Sequence, residues 1–105
     1  MSTTTVILAP TTAQAYSIPF ALNENATVTT LIISGTFVGS ESASLQILDP
    51  ISNTWAPAYI NNVNPILNST NNMLDIYSSW GQYRLNKSAT TNAVGASIRH
   101  TPQTY

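Results

Sequence analysis

The 105-residue chain contains no cysteine. Disulfides, cysteine-based zinc sites and thiol catalysis are therefore excluded. Charge is also scarce. Only 7% of residues are Asp, Glu, Lys or Arg, against about 25% in an ordinary soluble domain. Ser, Thr, Asn and Gln take their place. The net charge is −1, and Arg84, Lys87, Arg99 and His100 are too few to make the basic patch that displaces counterions from phosphates. Nucleic acid is not an expected partner. No stretch approaches the roughly 18 apolar residues of a membrane-spanning helix, so no membrane partner is expected either. The opening MSTTTVILAP lacks a basic n-region and does not read as a signal peptide.

What is present supports a folded core. Hydrophobic residues make up 43% of the chain, including five Tyr, two Trp and two Phe. The length suits one small domain. A surface with so little charge has weak self-repulsion and favours association, as in a subunit packed into an assembly. Met1 at the start leads us to expect an intact short gene product, with both ends docked on the domain or on neighbours. The sequons at Asn25, Asn68 and Asn86 are expected to be unused without a secretory signal.

The apolar pattern has period two. In SASLQIL (42–48), Ala43, Leu45 and Ile47 share one face. Tyr83 and Leu85 alternate with Gln82, Arg84 and Asn86. Val94, Ala96 and Ile98 alternate with Gly95, Ser97 and Arg99. These are half-buried antiparallel strands. ATVTTLIIS (26–34) is β-branched along most of its length and reads as a more central strand. TTTVIL (3–8) reads as a first strand ended by Pro10. Turn signals fall at 22–25, 35–41, 49–53, 61–72, 78–81 and 87–92. Helical spacing around Leu67 to Asp75 is weakened by its Asn-rich flanks.

The expected fold class is therefore all-β: a single antiparallel β-sandwich, Ig-like or jelly-roll-like, spanning residues 1–105. Residues 26–100 form its core meander. Residues 1–25, broken by Ala9-Pro10 and Ile18-Pro19, supply either a first strand or an extended N-terminal arm.

Catalytic chemistry lacks its parts. A hydrolytic triad needs a base, and the lone His100 sits beside Arg99 near the chain end. Glycoside hydrolysis needs two paired carboxyl groups, yet nothing in the spacing of Glu24, Glu41, Asp49 and Asp75 selects a pair. There is no phosphate-cradling glycine motif. Asp49 and Asn53 share a loop, but Pro50, Ile51 and Ile60 occupy positions where a calcium loop needs ligands. No enzyme activity, cofactor or metal is expected. The aromatic residues Trp55, Tyr59, Tyr77, Trp80 and Tyr83 remain, as core or as a contact surface. Tyr83, in phase with Leu85, is expected in the core. Trp80, beside Gly81, is expected at a turn.

In chain order, LIISGTFVG, SASLQILDP with ISNTW, and WGQYRLNKSATTNAVGASIR resemble small β-sandwich proteins of tailed bacteriophages. In that family a V-S-G-T strand is followed by an L-Q-x-S-P-D strand, a turn ending in T-W and a G-x-Y-R strand. Here Ile33-Ser34-Gly35-Thr36, Leu45-Gln46, Asp49, Thr54-Trp55 and Gly81-Gln82-Tyr83-Arg84 match. The resemblance covers residues 28–99. It departs in the turn, where Pro50-Ile51-Ser52-Asn53 replaces a Gly-rich sequence. The stretch also resembles the sialidase Asp-box S-x-D-x-G-x-T-W, but lacks its Gly and places Trp55 one residue late.

The resemblance implies a virion component, a capsid decoration (cement) protein made in the host cytoplasm and bound to the capsid surface. Its partners would be the major capsid protein and copies of itself, as a trimer. The alternative is a tail-fibre or host-attachment carbohydrate-binding module using Trp55, Trp80 and the tyrosines. Candidate contact residues are Trp55, Tyr59, Trp80, Asp49 and Asn53. The stretch LDPISNTWAPAY (48–59) reads as a hairpin. Asp49 and Asn53 bond the local backbone in its turn. Trp55 heads for the core, and Pro57 marks an edge strand.

Overall fold

A computed structural model describes residues 3–22, 27–60, 62–76 and 81–102. Among the described residues ten strands follow one another: β1 (Thr3–Thr11), β2 (Ala15–Tyr16), β3 (Phe20–Leu22), β4 (Thr27–Ser34), β5 (Ala43–Asp49), β6 (Thr54–Pro57), β7 (Ile66–Leu67), β8 (Met73–Ile76), β9 (Gly81–Lys87) and β10 (Val94–Pro102). No helix occurs among the described residues. The helical spacing around Leu67 to Asp75 instead serves the short strands β7 and β8.

The strands form two antiparallel sheets in a β-sandwich-like arrangement. One sheet runs β1-β10-β4-β8. The other runs β2-β9-β5-β6, with β3 also beside β9 and β7 also beside β5. The β-branched β4 lies between β10 and β8, an interior position. Leu31, Val94 and Ile98 of the first sheet and Leu45, Tyr83 and Leu85 of the second belong to one buried cluster. Burying an aliphatic side chain of this size contributes about 1.5–3 kcal/mol, so alternation along β5, β9 and β10 is what fixes the two sheets face to face. Phe20 stacks on Tyr83 with ring centroids 6.3 Å apart.

Pro10 does not end β1. The strand continues to Thr11, and its register against β10 shifts between Val6 and Leu8 and again between Leu8 and Thr11. An edge strand with irregular pairing tolerates a residue that lacks an N–H. Gly95 of β10 makes the crossing feasible. A Cβ there would fall 2.5 Å from the Leu8 carbonyl oxygen and 2.8 Å from the Pro10 nitrogen. The sequence pattern puts Gly95 on the outer face, but the irregular part of β1 covers it and it is buried. Gly35 ends β4 at φ 101°, and a Cβ there would lie 2.5 Å from the Ala93 oxygen.

β2 and β3 line successive parts of the same edge of β9, separated by Ser17-Ile18-Pro19. Buried Ser17 repairs the ladder across the gap. Its N–H donates to the Leu85 carbonyl at 2.9 Å, and its Oγ accepts the Leu85 N–H at 2.9 Å. Ile18 N–H then donates to the Ile7 carbonyl at 2.9 Å, which ties this edge to β1 of the opposite sheet.

On the far side, β6 and β7 likewise share the edge of β5. Between them the Asn64 amide donates to the carbonyls of Leu45 and Ala58, occupying a ladder position the chain has left. Pro57 lies in β6 at this edge, as the sequence implies. The expected turns over residues 23–25 and 78–80, and the expected docking of the two chain ends, lie outside the described residues.

Candidate functional site

The outer face of the six-stranded sheet carries a stack of aromatic and cationic groups. Alternation along β9 turns Tyr83 and Leu85 inward and Arg84 and Asn86 outward. The β5–β9 register sets Gln46 opposite Arg84, and Arg84 Nε donates to Gln46 Oε1 at 2.7 Å. The guanidinium carbon lies 3.9 Å from the Tyr16 ring centroid and 4.5 Å from that of Trp55. Tyr16 comes from β2 and Trp55 from β6, at opposite margins of the sheet. Gln14 donates to Asn86 Oδ1 at 2.9 Å, which extends the polar strip beyond Tyr16. Each cation–π contact of this kind contributes about 0.5–2 kcal/mol, according to its exposure.

Trp55 therefore does not head for the core. It pairs with Leu48, which alternation places on the outer face, and its ring stacks on Arg84. The four-residue segment TWAP is too short to carry an alternation of its own. The face that Trp55 occupies is set by register with β5, which is not legible locally.

The hairpin turn before Trp55 has the expected local bonding at Asp49. Its Oδ1 accepts the Ile51 N–H at 2.9 Å and its Oδ2 accepts the Ser52 hydroxyl at 2.9 Å. These bonds, the Ile51 N–H foremost, hold the Asp49 carboxyl below its ordinary pKa. Asn53 acts through its backbone: its N–H donates to the Asp49 carbonyl at 2.8 Å. It adopts φ 58°, a left-handed conformation that Asn tolerates better than most residues. Ile51, at the tip, is 96% exposed.

A second feature lies where the edges of the two sheets approach. Ile60, Val63, Pro65, Ile66 and Leu74, with Asn64 and Asn71, line an open groove of about 450 Å³. Val63 and Ile66 are exposed, as are neighbouring Met73 and Tyr59. The groove owes its shape to a tight connection in which Ile60 and Val63 exchange backbone hydrogen bonds, with Asn62 at φ 67°.

The described carboxylates are engaged in structural bonds. Glu41 accepts from Val38 N–H at 2.8 Å and from both the N–H and the hydroxyl of Thr91 at 2.9 Å. The Val38 bond is the largest influence holding its carboxyl below the ordinary value. Asp75 accepts the Thr30 hydroxyl at 2.7 Å. Lys87, the last residue of β9, points inward in phase with Leu85 and is 1% exposed. Its Nζ donates to the carbonyls of Ala13 at 2.6 Å and Ser88 at 2.8 Å. Burial lowers its pKa, partly offset by Glu41. Among the described residues no three His, Cys, Asp or Glu side chains gather as a metal-ligand set.

Of the candidate contact residues, Asp49, Asn53 and Trp55 share one hairpin. Tyr59 is exposed next to the groove residue Ile60. Trp80 lies outside the described residues. Tyr16, Gln46 and Arg84 were not among the candidates. The outward alternation of Gln46 and Arg84 was the available signal, but their pairing across strands was not. No family model matches the chain, and no curated protein or solved structure is significantly similar to it.

Proposed function

We propose that the chain is a non-enzymatic virion structural protein of a tailed bacteriophage, a capsid decoration protein that binds the outside of the major capsid shell and stabilises it. In this reading the sandwich is Ig-like or jelly-roll-like, and the protein sits on the capsid surface as a self-associating, trimeric subunit.

The observation that carries the reading is the exposed aliphatic edge. Val63 and Ile66, each about half exposed or more, line an apolar groove, on a chain with only 7% charged residues. Contiguous exposed apolar surface marks protein contact, and a nearly neutral surface does not oppose close packing of many copies. The resemblance of residues 28–99 to phage sandwich proteins supplies the identity of the partner.

The test is reconstitution. Purified protein added to phage shells that lack a decoration protein should bind stoichiometrically and raise the temperature at which the shells disrupt. Shells that take up no protein would reject the reading.

A further inference from the structure

We propose that the Tyr16–Arg84–Trp55 stack is a receptor for a carboxylate-bearing saccharide, a binding activity separate from the capsid role. The argument starts from what Arg84 has left to offer. Tyr16 and Trp55 stack against the guanidinium from opposite margins of the sheet, and Nε is bonded to Gln46. The remaining donors are the two Nη groups along its outer edge. Among the described residues they have no carboxylate or other acceptor. Asp49 is committed to its own turn, and Glu41 to Val38 and Thr91. Lys87 is buried, and Arg99 lies on the other sheet. Arg84 is thus the one cation this face presents among the described residues.

A guanidinium fixed by two rings and a side-chain amide is preorganised, so little rotamer freedom remains to be lost on binding. Its free edge matches the two oxygens of a carboxylate lying in the guanidinium plane. The surroundings suit a sugar ring better than a peptide. Amides of Gln14, Gln46 and Asn86 flank the stack, and each retains hydrogen-bonding capacity for hydroxyl groups. Tyr16 and Trp55 add aromatic surface that is apolar on the face and polar at the edge. Its aliphatic neighbours on this face are half-buried Leu48, Pro57 opposite Gln46 and, farther along, Ile66 opposite Ser44. The groove residues Ile60, Val63 and Leu74 are the larger aliphatic cluster, and they lie away from the stack.

Nitrogen-15 NMR of the intact protein tests this directly, because the sequence has only two arginines and two tryptophans to resolve. Sodium glucuronate should shift the Arg84 Nε–H and Trp55 indole signals saturably. Glucose should not. Acetate and glutamate should bind at least about tenfold more weakly, since they lack the hydroxyls that meet the amides. Arg84→Lys keeps the charge but loses the planar fork, and should weaken glucuronate binding about tenfold with an otherwise superimposable spectrum. Should Arg84→Lys misfold, Gln46→Ala serves instead. It leaves charge and rings in place and should weaken binding several-fold. Three results would each overturn the proposal: no saturable shift with glucuronate, equal binding of glutamate or acetate, or undiminished binding by the folded variant. Capsid reconstitution is read separately, so either proposal can fail without the other.

Discussion

Along the outer face of the six-stranded sheet, Tyr16, Arg84 and Trp55 are locked by stacking and by Gln46. Along the groove edge, Val63 and Ile66 project with no such partners and are held in place by the turn and short strand that carry them. The first region stands on β5 and β9, which pair over five residues with regular alternation. The second stands on β7 and β8, of two and four residues. A chain this poor in charge divides its surface by other means. Directional hydrogen-bonding groups are concentrated in one arginine and a few amides, while the exposed aliphatic side chains sit on short elements.

The largest effect on folding should come from the interior beneath the first region. Leu45→Ala empties a fully buried position on β5 and should cost about 2–5 kcal/mol in denaturant unfolding, weakening both regions together. If only one region suffered, they would not share a cooperative scaffold. Next is Arg84→Ala, which removes both ring contacts. It should cost about 1–2 kcal/mol and release Trp55, visible as a shift in its fluorescence, while shell binding through the groove is kept.

A smaller effect is expected in acid. Asp49 and Glu41 have carboxyl pKa values lowered by hydrogen bonds in the folded chain. Their stabilisation is complete above the unfolded-state pKa and is lost as pH falls through the folded value, because the unfolded chain then takes up protons first. Thermal melts should therefore fall in temperature below the ordinary carboxylate range, and Glu41→Gln should flatten that decline. Arg84→Gln should leave the acid limb unchanged, since Arg84 pairs with no carboxylate among the described residues. The smallest change in stability belongs to Val63→Asp combined with Ile66→Asp. At exposed sites it should stay within about 0.5 kcal/mol, yet it should abolish uptake by capsid shells while glucuronate binding persists. Loss of both activities would show that the two regions are one surface.

The legible parts of the fold were those with enough residues to show a period. Ala43 and Leu45, Tyr83 and Leu85, and Val94, Ala96 and Ile98 are all buried as their alternation implies. The Asp49 turn was legible because an Asx bond is local, and Pro57 because a missing N–H restricts a strand to an edge. What was not legible depends on distant partners. Pro10 stays within β1 because Gly95, eighty-five residues on, has no side chain to block it. Trp55 takes its face from register with Leu48. The candidate site is half legible: Trp55 stands out in the sequence, while its stacking partner Arg84 shows only as an outward-facing cation on its strand, with no sign of the rings it meets. Lys87 was placed at the start of a turn, although it completes the inward row begun by Tyr83 and Leu85.

That inward row has a practical result. Lys87 is the only lysine in the sequence, and its Nζ is held on two carbonyls inside the fold. An amine-reactive reagent should therefore leave this side chain unmodified until the chain opens, so its acylation becomes a clock for unfolding. Trypsin meets the same barrier. Its three cleavage residues, Arg84, Lys87 and Arg99, all lie within strands β9 and β10, where the backbone must first leave the sheet. Cleavage of the native protein should track the population of opened molecules, and a protein with so few charges would owe much of its durability to that placement.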